Sequence, residues 1–302
     1  MQKILFAGAS GYGNLGDDSY KVLFTSHFQK LGYDVSFDSP YPELKKVDWA
    51  DHVVIGGGGL IYVNKTAHLG YMTSYLDRAI KNKTPFSFIS CGVQVFESDS
   101  NMSIEEIVKK GKEQLKPWVK YLKLAKVITV RSKRCKEIID CATDNQANCH
   151  YVPDLAYSFV PPKDTTKKLG TGVFIATKAG SNNPKFEWVW RHLNNVCDEI
   201  LVLAMAKDDY DITKLLGKQL QEKGKGGYLT GVEPRKALGI IAKAEYVASA
   251  RYHGNIFARV AKVDPEKLYN LDLRYKSRVE EPPEDLKEAL KNIIILEEYV
   301  KK

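Results

Sequence analysis

Ile4-Leu-Phe-Ala-Gly-Ala-Ser-Gly-Tyr-Gly-Asn-Leu-Gly-Asp-Asp18 decides the fold: an apolar run breaks into a glycine-rich loop, and the loop opens a helix-like segment. An unbroken apolar run bounded by glycine reads as a parallel strand buried on both faces, and the loop lets backbone N–H groups approach a ligand. The same form recurs where Val53-Val-Ile55 runs into Gly56-Gly-Gly-Gly59. In Ser249-Ala-Arg-Tyr-His-Gly-Asn-Ile-Phe-Ala258, Arg251 and His253 fall between a strand end and a helix start. A permanent cation and a proton donor at such a junction point to an anion-handling site. These three loops are expected on one sheet edge.

Working outward, short β-branched runs alternate with amphipathic segments, the pattern of a doubly wound α/β sheet. The spacing predicts strands at 3–8, 34–38, 52–56, 86–91 and 127–131, with helices at 17–31, 69–82, 103–124 and 132–141. Val152 to Lys168 combines prolines, hydroxyls and charge and reads as a linker. A second alternation follows, with strands at 171–177, 199–204, 226–229, 245–249 and 267–271 and helices at 184–196, 208–222, 233–243 and 252–262. The expected fold is therefore α/β, with two Rossmann-like domains facing a central cleft, and ligands beyond the carboxyl ends of the strands. The boundaries fall at 1–153 and 154–302, and a final helix from 284 can return to the first domain.

With 302 residues and 44% hydrophobic content, the chain can fill conventional cores. No apolar stretch reaches the ~20 residues that span a bilayer, and no signal-peptide pattern opens the chain, so a cytoplasmic location is expected. Five cysteines without paired spacing suggest neither a disulfide framework nor a zinc site. The net charge of +8 favours an anionic substrate, a membrane surface or nucleic acid.

Asn14, Asp17 and Asp18 lie where the first loop meets its helix. Either aspartate could be an N-cap, which leaves the other for an acceptor hydroxyl. Gly11, Gly13 and Gly16 satisfy a dinucleotide-binding spacing and Asp38 roughly supplies its acidic partner, yet two carboxylates stand where a pyrophosphate would rest. Gly57 and Gly58, within the four-glycine run, signal close approach of a ligand or of another segment. Arg131 ends a strand, with Ser132 placed to cap the next helix; it serves a site, pairs with Asp154 or is an ordinary surface arginine. Lys276 is a further cation after the last strand.

Taken together, Gly13-Asn-Leu-Gly-Asp-Asp18, Ile55-Gly-Gly-Gly-Gly-Leu60, Val130-Arg-Ser132, Val152-Pro-Asp154 and Ser249 to Ala258 resemble the polysaccharide pyruvyl transferase family. The resemblance implies a GT-B-like fold and transfer of a pyruvyl group from phosphoenolpyruvate to two hydroxyls of a glycan sugar, with no metal needed and no cofactor beyond that co-substrate. It implies that Arg131, Arg251 and His253 serve the donor and that the first loop, with Gly13, Asn14, Asp17 and Asp18, faces the acceptor. His253 would then be the general acid, and Asp17 or Asp18 would orient or deprotonate the acceptor hydroxyl. The family's Tyr-Asp-Pro-Lys-like stretch is here Leu273-Arg-Tyr-Lys276.

Two other functions fit the same residues. One is a GT-B glycosyltransferase using a nucleotide sugar, with the basic charge permitting a nucleic-acid acceptor such as a modified DNA base. The other is a binding module that keeps the fold and an anion pocket without turnover.

Overall fold

The computed structural model of the chain describes residues 1–8, 11, 13–38, 43–63, 69–95, 101–163, 165–272 and 283–301. The first part runs β1 (Lys3–Gly8), α1 (Leu15–Lys30), β2 (Asp34–Asp38), α2 (Leu44–Trp49), β3 (His52–Gly56), β4 (Ile61–Tyr62) and α3 (Leu69–Asn82). It continues through β5 (Phe86–Cys91), β6 (Val93–Gln94), α4 (Ile104–Lys110), α5 (Lys112–Leu124), β7 (Ile128–Val130), α6 (Lys133–Ala142) and β8 (Cys149–Tyr151). The second part runs β9 (Lys168–Ile175), α7 (Phe186–Val196), β10 (Glu199–Leu203), α8 (Tyr210–Glu222), β11 (Gly226–Leu229) and α9 (Pro234–Lys243). It ends with β12 (Ala244–Ser249), α10 (Tyr252–Val260), β13 (Leu268–Asn270) and α11 (Lys291–Val300).

The strands form two main parallel sheets, ordered β2-β1-β3-β5-β7-β8 and β11-β10-β9-β12-β13. Continuous burial along β1 follows from its covering on both faces. Leu5, Ala7, Val53 and Ile55 pack with Val47, Leu76 and Trp118, while Ile4, Phe6 and Val54 pack with Phe24, Phe28, Ile293 and Leu296. Adjacent residues point to opposite faces, so both faces of β1 take apolar side chains. In the second sheet, Phe174, Ile200, Val202 and Ala248 pack against Phe186, Leu193, Leu216 and Leu220.

The chain divides into two compact units: residues 1–11, 20–158 and 276–302, and residues 12–19 and 159–275. Two of the expected loops follow β1 and β3, which are neighbours in the first sheet, with Gly8 opposite Gly56. Arg251 instead follows β12, which pairs with β9 and β13 in the second sheet, so the three loops do not share one edge. The second alternation builds its own sheet, and the Arg251 turn leaves that sheet rather than the first.

Other departures are local. The expected helix at 103–124 is two helices meeting at Gly111, a residue that weakens helix continuity. The start of the expected linker is core, since Val152, Asp154, Leu155, Ala156 and Tyr157 are buried and 155–158 form a 3-10 turn. Asn292 holds this segment by donating to the Pro153 carbonyl at 2.7 Å. Among the described residues, no helix is long and apolar enough to cross a membrane.

Candidate functional site

The second unit holds Arg251 and His253 at the turn from β12 into α10. The Ser249 hydroxyl donates to the Arg251 carbonyl at 2.9 Å and accepts from the Arg251 N–H at 3.1 Å. Asn255 Nδ2 donates to the same carbonyl at 3.0 Å. The turn is held from both directions, and it places His253, only 8% exposed, in the first turn of the helix.

The Arg251 side chain is held by a residue that the sequence reading did not single out. Asp209, at the start of α8, accepts from Arg251 Nε at 2.9 Å and from Nη2 at 2.6 Å. Its Oδ2 also accepts the Ala206 N–H at 3.1 Å. Burial raises the Asp209 carboxyl above the usual carboxylate range, and Arg251 works in the opposite direction. Asp208 and Asp209 both read as helix-opening carboxylates, and nothing in the sequence marks which one turns inward.

Part of the first glycine-rich loop packs in the same unit. Leu15 N–H donates to the Met205 carbonyl at 2.7 Å, and Gly16 lies against the His253 imidazole with no room for a side chain. Asn14 Oδ1 accepts from Gly16 N–H at 3.2 Å, and its Nδ2 donates to Asp17 Oδ2 at 2.6 Å. Capping of α1 therefore falls to Asn14, whereas the sequence suggested Asp17 or Asp18, both of which sit inside the first turn. Asp17 is buried and Asp18 half-buried.

Asp18 lines a pocket of about 310 Å³ with Gly13 and Leu15, with Ala204, Lys207 and Tyr210 beyond β10, and with Gly231 to Pro234 beyond β11. One ammonium, two carboxyl groups and a phenol surround the apolar Leu15, Val232 and Pro234. That mixture suits a hydroxylated, weakly charged ligand better than a polyanion, because each carboxyl group opposes added negative charge. Lys207, Tyr210 and Glu233 carry no motif, and only the folded chain gathers them.

In the first unit, Arg131 is 3% exposed and donates to Asp154 Oδ2 at 3.3 Å, the pairing weighed from the sequence. Tyr20 O–H donates to the same oxygen at 2.7 Å, and Asp154 Oδ1 accepts the Ala156 N–H at 2.9 Å. Ser132 caps α6 by accepting from the Cys135 N–H at 3.1 Å. Gly57, at φ 75°, lies against the Tyr20 ring, and the Gly58 carbonyl accepts from Gly92 N–H at 2.8 Å. At Gly57, another segment of the chain thus occupies the space that the missing side chain leaves. Lys276 lies outside the described residues. Among the described residues, no group of three or more His, Cys, Asp and Glu side chains is arranged to hold a metal ion.

The chain is similar in structure to the S. aureus MnaA–UDP co-structure, at 10% identity and a TM-score of 0.58 over 100% of this chain and 97% of that one. It is similar to UDP-GlcNAc 2-epimerase from Methanocaldococcus jannaschii, at 10% identity and a TM-score of 0.56 over 97% of this chain and 92% of that one. It is also similar to an alpha-glucosyltransferase in complex with UDP and a 13-mer DNA containing a HMU base, at 13% identity and a TM-score of 0.50 over 100% and 91%. At such identities the likeness is one of fold, and that fold is GT-B-like. No curated protein matches the sequence. The family model described as polysaccharide pyruvyl transferase matches residues 14–263, which takes in Asn14, Gly16, Asp209, Arg251 and His253. The chain belongs to the polysaccharide pyruvyl transferase family.

Proposed function

We propose that the chain transfers the pyruvyl group of phosphoenolpyruvate to two hydroxyls of a glycan sugar, forming a cyclic ketal and releasing phosphate. The observation that carries this reading is the junction of β12 and α10, where an oriented arginine and a buried histidine stand two residues apart inside the family match. His253 donates a proton to the methylene carbon of the donor, leaving cationic character at the adjacent carbon. One acceptor hydroxyl adds to that carbon. The second hydroxyl displaces phosphate, and the two hydroxyl protons leave with the released phosphate and through a base that returns His253 to its starting state. Arg251 holds the donor's carboxylate or phosphate, and Arg131 is the second candidate for that work. The pocket beside Asp18 supports an acceptor that is a hydroxylated ring.

Thermal melting of the purified protein against phosphoenolpyruvate and common nucleotide sugars tests the donor. A ligand at ~100 times its dissociation constant adds ~2.7 kcal/mol. A rise with phosphoenolpyruvate that disappears in Arg251→Ala supports pyruvyl transfer. A rise with nucleotide sugars alone replaces it with glycosyl transfer. In that case, activity on DNA would fall steeply with added salt, whereas activity on a neutral glycan would not.

A further inference from the structure

Arg251 reaches its position through one buried carboxylate. Asp209 is 1% exposed, and both of its oxygens face the Nε/Nη2 edge of the guanidinium. A guanidinium offers two such two-pronged edges, and Asp209 takes one of them. The other, Nη1 with the second Nη2 proton, makes no hydrogen bond among the described residues. The side chain remains 20% exposed. Asp209 also fixes the Ala206 N–H, one residue after the Met205 carbonyl that receives Leu15. A single carboxylate therefore ties the direction of Arg251 to the loop that lies against His253.

We propose that Asp209 is a positioning residue for this reaction, holding Arg251 so that only its Nη1/Nη2 edge meets the anionic donor. This rests on the donor reading above. Arginine carries large rotamer entropy, and a chain already ordered before binding has none of that to lose when the donor arrives. The Asp209 charge also lowers the general attraction of the site for anions, so the gain is in selectivity: a donor shaped for one edge is favoured over any other anion.

The test combines nitrogen-15 NMR of arginine side chains with calorimetric titration by phosphoenolpyruvate and, separately, by inorganic phosphate. The Arg251 Nε–H signal is the one absent in Arg251→Lys. It should exchange slowly with solvent in the wild type and rapidly in Asp209→Asn. The preference for phosphoenolpyruvate over phosphate should fall ~10-fold in that variant. Losing the Asp209 charge strengthens binding of both anions, and of the more highly charged phosphoenolpyruvate more, so a fall in the ratio runs against that change and reports the lost fixing of the edge. An unchanged ratio, or an Nε–H equally protected in Asp209→Asn, overturns the proposal. A purely structural aspartate would lower the melting temperature without moving the ratio. Should Asp209→Asn fail to fold, Asp209→Glu keeps the charge but displaces it by one methylene, and it must shift the Nε–H signal and lower the ratio. If the wild type does not titrate with phosphoenolpyruvate while the Nε–H signal behaves as expected, the donor assignment falls and the fixing of Arg251 by Asp209 stands.

Discussion

Gly16 lies so close to His253 that a methyl group on its α-carbon would overlap the imidazole ring. The glycine is the third of the spacing that resembles a dinucleotide site, and this contact gives it a structural reason. Gly16→Ala should force the ring to move, costing ~1–3 kcal/mol of stability as overpacking does. It should also shift the His253 ring signals in NMR spectra and depress turnover. Gly70→Ala is the control, since nothing among the described residues lies within 4 Å of a β-carbon there. It sits in α3 and should be neutral or slightly stabilising. Equal behaviour of the two variants would show that Gly16 does not constrain the His253 ring.

Arg131 and Asp154 form a pair at 3% and 0% side-chain exposure, braced by Tyr20. Removing one member of a buried pair costs ~3–5 kcal/mol. Asp154→Ala should therefore unfold at markedly lower urea. Arg131→Met should cost less, because Asp154 keeps the Tyr20 hydroxyl and the Ala156 N–H. Urea unfolding of both variants, followed by phosphoenolpyruvate titration of the better-folded one, separates scaffold from site. Lost donor binding in a stable Arg131→Met places Arg131 at the donor; retained binding leaves it as scaffold.

The ends of β1, β3 and β5 are legible because buried parallel strands are largely apolar and stop at residues that turn. β1, β2, β3, β5 and β11 begin and end where the spacing predicted. Arg251 and His253 were legible for the same reason, lying between an apolar run and a helix start. Asp209 was not, because a carboxylate that caps a turn and one that binds an arginine 42 residues away look alike in sequence. Likewise, Val152 to Tyr157 carries the composition of a linker but is buried, since Asp154 and the Pro153 carbonyl find partners in Tyr20 and Asn292, 134 and 139 residues away. Long-range pairing leaves no local signal.

His52 is buried in β3 with Nε2 at 3.0 Å from the Ser87 hydroxyl. Burial, helped by the nearby Lys126 charge, pushes its imidazole down to about 4. The unfolded value is ~6.5, so the unfolded chain binds the extra proton first. The contribution of a neutral His52 is complete above the unfolded value and is lost as pH falls from there towards the folded one, ~3 kcal/mol in all. Urea unfolding across that window should show a stability gap between wild type and His52→Gln that narrows on acidification. A gap that stays constant with pH would show that His52 does not titrate on unfolding.

The cysteines give a last check on the core. Burial pushes the Cys91 and Cys149 thiols up to about 12 and Cys197 up to about 11. Cys135 is buried as well, which leaves Cys141 as the half-buried thiol of the five. Since the thiolate is the reacting species, a thiol reagent near pH 8 should modify Cys141 first in the native protein and all five cysteines in denaturant. Cys141→Ser should silence the native reaction. Rapid modification of Cys91 or Cys149 in the native state would mean that the first sheet opens far more readily than its packing implies.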